Sequence, residues 1–197
     1  MSRRTRNVAG LAVGIGALLG SAALARRPIS GVETRVFRAA NGLPTEAYRA
    51  IWVPMQYGTF GTVPVTALLA LARRRPRLAL AIGVGGTAAW VLAKALKPLV
   101  GRGRPASLLE GVELRGAEEG DLGFPSGHAA VSAALTVVAR PYLSEGGRHT
   151  LMALSGLVPF ARMYVGAHLP LDVVGGSALG LAIGSAVGLA LPARERD

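Results

Sequence analysis

The feature that most constrains this chain is where its charges are missing. Residues 8–25 and 51–72 carry none, and 172–191 carries one, Asp172. Charge gathers instead in short stretches between such runs: Arg3, Arg4 and Arg6 at the start, Arg73, Arg74, Arg75 and Arg77 in the middle, Arg194 and Arg196 at the end. A soluble helix keeps one polar face in water, so its charges recur along its length. Uncharged runs of about 20 residues match the hydrocarbon thickness of a bilayer instead. The hydrophobic fraction, 51%, is only slightly above a soluble average, so the distribution of charge carries the inference rather than the amount of apolar sequence.

Six apolar spans follow: 8–25, 51–72, 78–99, 127–142, 150–165 and 172–191. They predict an all-α integral membrane protein, a bundle of six transmembrane helices in a single domain over residues 1–197. The first span, behind three arginines, also has the outline of a signal peptide. It is long for one, and Arg26-Arg27-Pro28 is a poor cleavage site, so a retained helix is expected. Residues 30–49 mix Glu33, Arg35, Arg38 and Glu46 with apolar positions. They read as an amphipathic interfacial segment broken at Asn41-Gly42 and Pro44. Pro54 and Pro64 inside the second span are tolerated better in a membrane helix than in a soluble one.

If all six spans cross, the N-terminal arginines, the 73–77 loop, the Arg148 turn and the tail share one side. The positive-inside rule makes that side cytoplasmic. Arg26, Arg27, Arg35 and Arg38 fall on the other side, with the acidic 101–122 loop that holds Glu110, Glu113, Glu118, Glu119 and Asp121.

The chain has 22 basic and 11 acidic residues, a net charge of +11. Nucleic acid, an anionic lipid surface and a phosphate substrate all suit such a balance. A nucleic-acid binder needs a soluble basic face, whereas these arginines separate apolar spans, so no nucleic-acid partner is expected. There is no cysteine, and of three histidines His149 sits in a polar turn, so no metal site is expected.

Three clusters lie at span ends on the side opposite the arginine-rich loops. Lys97 and Arg104-Pro105 flank the turn Gly101-Arg102-Gly103. Basic residues at helix ends commonly anchor at the interface, and the same pair also suits a phosphate clamp, arginine as a fork and lysine as a point charge. Pro125-Ser126-Gly127-His128 opens the fourth span. Ser126 fits an N-cap, and a helix start with a glycine admits an anion to free N–H groups. Capping explains the serine but not a histidine in the first turn of a membrane helix. In the third cluster Arg162 interrupts apolar sequence, and His168 and Asp172 are four residues apart, with Pro170 at an early helical position. A carboxylate on one ring nitrogen fixes the tautomer and leaves the other nitrogen able to attack; a structural Asp–His pair at a helix start is the alternative.

The pattern Lys97-x6-Arg104-Pro105, Pro125-Ser126-Gly127-His128, Arg162-x5-His168-x3-Asp172 resembles the three-part signature of the type 2 phosphatidic acid phosphatase superfamily. Lipid phosphate phosphatases, bacterial undecaprenyl pyrophosphate phosphatases, soluble acid phosphatases and vanadium haloperoxidases share that signature. The third motif usually begins Ser-Arg; here it is Ala161-Arg162, so one hydroxyl is missing. The resemblance implies His168 as a nucleophile that forms a phosphohistidine, Asp172 as its orienting partner, and His128 as acid and then base. Lys97, Arg104, Ser126, Gly127 and Arg162 would bind the phosphoryl oxygens, with neither metal nor cofactor. The implied protein is a multi-pass cell-membrane enzyme whose partner is a lipid phosphate, a polyprenyl diphosphate by preference, met at the extracytoplasmic face. Phosphatidylglycerol phosphate and phosphatidic acid are rival substrates. A lipid phosphotransferase and a non-catalytic membrane scaffold are rival functions, and the sequence says nothing of oligomeric state.

Overall fold

The computed structural model describes residues 1–116 and 120–193; the expected loop acids Glu118 and Glu119 and tail residues Arg194 and Arg196 lie outside them. The described residues are helical throughout, joined by turns, with one isolated bridge between Gly103 and Leu122. The helices are α1 (Arg3–Ala25), α2 (Gly31–Asn41), α3 (Tyr48–Met55), α4 (Thr62–Ala72), α5 (Pro76–Val100), the single turn α6 (Pro105–Leu108), α7 (Gly127–Ala139), α8 (Glu145–Tyr164) and α9 (Pro170–Ala190).

Local chemistry sets their ends. Ser2, Ser30, Ser126 and Ser144 each cap a helix by accepting a backbone N–H three residues on. Pro76, Pro105 and Pro170 occupy first helical positions, where the missing N–H costs nothing. Gly101 ends α5 in the left-handed region, at φ 67°, its N–H donating back to the Lys97 carbonyl.

The core is α7, enclosed by α5, α8 and α9, with α1 laid along the far side of α9. Small residues make this closeness possible. A Cβ at Gly176 or Gly180 would strike the carbonyls of Ser126 and Ala130, and one at Gly184 would come 2.7 Å from the Val137 Cβ. This four-residue stripe lets the backbones of α7 and α9 touch, the usual means of helix association in lipid. Val131, Ala134 and Val158 are fully buried, while Val13, Leu19, Val65, Leu68, Leu80, Val91 and Leu92 are exposed around the outside of α1, α4 and α5. A large apolar exterior over a small-residue interior suits a bilayer.

Among the described residues three helices are long and apolar enough to cross a membrane: α1, α5 and α9, with mean hydropathies of 2.0, 1.6 and 1.8 over their best windows. The other expected spans differ. At 13 residues α7 is about 20 Å long, short of the about 30 Å of hydrocarbon. The 20 residues of α8 include Glu145, Arg148, His149 and Arg162. The span expected at 51–72 is two helices. The chain leaves α3 after Met55, makes a 3-10 turn over Gln56–Gly58 and restarts at Thr62. Thr59 and Thr62 donate to the Gln56 carbonyl at 2.8 and 2.6 Å, taking over helix bonds the break removes. Gly58 explains the position of the break: a Cβ there would lie 2.6 Å from the His128 carbonyl and 2.7 Å from Val158. The chain must pass between α7 and α8 without a side chain.

Candidate active site

The C-terminal ends of α5 and α8 and the N-terminal ends of α7 and α9 meet at one end of the bundle, and all three sequence clusters arrive there. His168 projects from the turn between α8 and α9. That turn is tight, with the N–H groups of Ala167 and His168 both donating to the Arg162 carbonyl at 3.0 and 3.2 Å. Gly166 has φ 78°, and a Cβ on it would meet the Glu113 carbonyl at 2.6 Å, so the turn needs glycine on both counts. Asp172 stands in the first turn of α9, fully buried; its Oδ2 accepts the Leu169 N–H at 2.8 Å and lies 3.6 Å from His168 Nδ1. The spacing of four residues thus brings the pair together, slightly beyond hydrogen-bond length.

His168 is 2% exposed. Burial pushes its imidazole well below the usual histidine range, and the charges of Arg162, Arg104, Lys97 and His128 act in the same direction. The ring is therefore neutral near pH 7, the state in which a ring nitrogen is a nucleophile.

Lys97 ends α5 with its Nζ donating to the carbonyls of Leu122 and Gly123 at 2.5 and 3.3 Å. Arg104 donates from Nε to Gly120 and from Nη1 to Ala167, at 2.7 and 2.8 Å, which ties the 101–122 loop to the His168 turn. Ser126 is fully buried with its Oγ 3.4 Å from the Ala129 N–H, and its own N–H donates to the Asp172 carbonyl at 2.9 Å. The start of α7 is thereby pinned to the start of α9. Arg162 is 4% exposed in the last turn of α8, Nη1 3.8 Å from Met55 Sδ.

Two cavities open here. One, of about 530 Å³, is lined by Lys97, Arg104, Gly127, His128 and His168, with Lys94, Phe60 and Trp90 at its rim. Lys94 Nζ sits 3.8 Å over the Trp90 ring. The second, of about 430 Å³, is lined by Arg104, His128 and Arg162 together with Tyr48, Trp52 and Met55. Arg104, Gly120 and His128 belong to both, so they stand at the junction. Six of the eight residues picked from the sequence line one cavity or the other; Ser126 and Asp172 stand behind them. Among the described residues no group of three or more His, Asp or Glu stands together as metal ligands.

Sequence reasoning missed two charged groups. Arg102, 6% exposed, donates to both Glu33 oxygens at 2.8 and 2.6 Å and to Asp172 Oδ1 at 3.3 Å. Glu33 shares the buried face of α2 with Phe37, Ala40 and Asn41. An acid on the apolar face of an amphipathic segment, at spacings of four and seven, was the signal that could have found it.

Similarity to known proteins bears on this arrangement. The crystal structure of Aquifex aeolicus LpxE superposes with a TM-score of 0.70 at 22% identity, over 80% of this chain and 95% of that one. A transmembrane PAP2-type phosphatidylglycerolphosphate phosphatase from Bacillus subtilis gives 0.68 at 22% identity, over 94% and 99%. In sequence the chain is 30% identical over 122 residues to an undecaprenyl-diphosphatase of Sulfolobus acidocaldarius, 60% of this chain and 57% of that protein, so it spans little more than half of that relative's length. The model of the PAP2 superfamily matches residues 62–196. That stretch holds all three clusters and the helices that gather them, and the chain belongs to the PAP2 superfamily.

Proposed function

We propose that this protein is a membrane lipid phosphatase that cleaves a phosphate monoester or diphosphate, a polyprenyl diphosphate by preference, through a phosphohistidine on His168 and without a metal. One observation carries the reading. A buried histidine backed by a carboxylate at 3.6 Å shares a cavity with a second histidine and the cations Lys94, Lys97 and Arg104.

With Nδ1 turned to Asp172, His168 presents its other ring nitrogen to the cavity. That nitrogen attacks phosphorus, and the bond to the leaving oxygen breaks as His128 delivers a proton to it. Asp172 stabilises the positive charge the ring acquires. Lys97, Arg104, Arg162 and the Gly127 amide at the start of α7 hold the phosphoryl oxygens and offset the charge that builds on them. His128, now basic, takes a proton from water, which attacks the phosphohistidine and releases inorganic phosphate. Side-chain cations supply the charge stabilisation that a metal provides elsewhere.

The whole chain acts as one domain. All six spans cross, the shorter α7 enclosed within the bundle and the split second span facing lipid through Val65, Leu68 and Leu69 of α4. The arginines of α1 and of the 73–77 loop face the cytoplasm, and the site opens to the opposite side. The cavity rim of Phe60, Trp90 and Lys94 suits a headgroup that slides in while its chain stays in the bilayer. The relative named as an undecaprenyl-diphosphatase supports the polyprenyl preference.

The test is phosphate release by detergent-purified protein with chelator present. The panel is undecaprenyl diphosphate, phosphatidylglycerol phosphate, phosphatidic acid and a soluble phosphate ester, with His168→Ala alongside. Release that survives chelation, vanishes in the variant and is fastest for the polyprenyl substrate is expected. Release that requires an added metal, or that persists in His168→Ala, sinks the mechanism; a faster phospholipid sinks the substrate.

A further inference from the structure

Arg102 stands two residues before Arg104 yet lines neither cavity. Its side chain is 4% exposed and its guanidinium meets Glu33 fork to fork, Nη1 to Oε1 at 2.8 Å and Nη2 to Oε2 at 2.6 Å, while Nη1 also reaches Asp172 Oδ1 at 3.3 Å. Glu33 Oε1 in turn accepts the Leu171 N–H at 3.1 Å. Burial works against the charge on Arg102, but its bonds to Glu33 and the charges of both acids outweigh that and hold its pKa above the usual value. So a guanidinium, two carboxylates and an imidazole run in one buried line from α2 to the His168 turn.

We infer that Arg102 and Glu33 are positioning residues for the His168–Asp172 pair, Glu33 holding Arg102 and Arg102 holding Asp172. The inference rests on the reading of His168 as nucleophile. The division of Asp172 is the reason. Oδ1 faces Arg102, and Oδ2 faces the Leu169 N–H and the imidazole. A carboxylate held on one oxygen cannot swing its other oxygen away from the ring. The bidentate fork removes the rotation a single-point cation would leave to Arg102. A lone acid this deep would also carry a large desolvation cost, which Arg102 offsets. The groups that face His168 are Asp172 from α9, Arg162 from α8, Lys97 from α5, His128 from α7 and Arg104 from the turn after α5. Arg102 and Glu33 lie beyond Asp172, so they reach the ring through it. The segment that reads in sequence as an interfacial helix is therefore part of the catalytic support.

A double-mutant cycle in the full-length protein tests this, using whichever panel lipid the wild type hydrolyses. Arg102→Gln is expected to lower kcat about tenfold or more with KM within about twofold, the range seen when an orienting partner is lost. In an Asp172→Asn background the same change is expected to cost less than about twofold, because the group it acts through is gone. Removing the cation leaves more of the Asp172 charge to the imidazolium, so the acid limb of kcat/KM moves to higher pH. Glu33→Gln leaves Arg102 wholly to Asp172 and moves it to lower pH. Arg102→Lys restores part of kcat, having the charge without the fork.

Losses that multiply in the cycle, or folded variants with wild-type kcat and limb, overturn the inference. If Arg102→Gln does not fold, Glu33→Gln and Arg102→Lys carry the test. If the wild type hydrolyses no lipid, the proposed function fails separately. The His168 imidazole titration by NMR, assigned with His168→Ala, still reads the opposed shifts of the two variants without substrate, and its absence overturns the inference there too.

Discussion

The two ends of the bundle use arginine in different ways. At the end where α1 begins and α9 finishes, Arg3, Arg75 and Arg148 donate to backbone carbonyls of Ala193, Tyr142 and Arg140 at 3.1–3.2 Å. No carboxylate among the described residues pairs with any of the three. At the other end Arg102 and Arg162 are nearly excluded from solvent, Arg102 is matched to two acids, and Arg104 crosses between loops beside two histidines. The same side chain is a surface anchor at one end and a buried or cavity-lining cation at the other. Burial and the presence of a carboxylate make the difference, because screening in water removes most of the value of an exposed cation while a desolvated one keeps it.

That contrast can be broken from the site end first. His168→Ala is expected to cost about 10³-fold or more in phosphate release, since no covalent route remains. Single-turnover assays measure it, and substantial residual release would return the site to the status of an anchor. Asp172→Asn keeps the shape but loses the charge that steadies the imidazolium, for an expected loss of about 10²- to 10⁴-fold, read in kcat at constant substrate.

The pH profile sharpens the same point. The folded-state pKa of His168 is depressed, so the ring stays unprotonated as pH falls through the ordinary histidine range, near about 6.5. The acid limb of kcat/KM attributable to the nucleophile is expected below that value. A limb that titrates near about 6.5 and disappears in His128→Ala would assign it to His128 instead. In folding terms the sign is the same: the unfolded chain takes up a proton that the buried ring refuses, so stability at this residue falls as pH drops below about 6.5.

Packing effects come next in size. Gly180→Leu forces a side chain against the Ala130 carbonyl and Ala133, and a loss of about 1–3 kcal/mol is expected for overpacking of a tight interface, seen as a lowered Tm in detergent. The smallest effect belongs to the other end. Arg75→Ala is expected to change stability by less than about 0.5 kcal/mol and to leave kcat/KM within about twofold. A large loss there would end the distinction between the two ends.

How much of this was legible beforehand varies by element, for physical reasons. The long helices α1, α5 and α9 were readable because an apolar run of bilayer length has few other ways to satisfy its backbone. The second span was misread as one helix because proline and glycine are tolerated in lipid, and nothing in 51–72 reveals that Gly58 must slip between α7 and α8. The residues that gather around the two cavities were readable as three clusters with fixed internal spacing. Glu33 was not, because its partner lies 69 residues away and an isolated acid in an amphipathic helix looks solvated.

Local periodicity, caps and motif spacing are properties of neighbours along the chain, and they alone settled that the protein is helical, suited to a membrane and marked by three clusters of basic residues and histidines. Which arginine is spent on structure and which on the cavity is a matter of distance across the bundle. Arg102 and Arg104 are two residues apart and face different partners, and only the packing of α2 against the start of α9 separated them. Charge is placed by sequence, but its worth depends on how far the folded chain removes it from water and what it then touches.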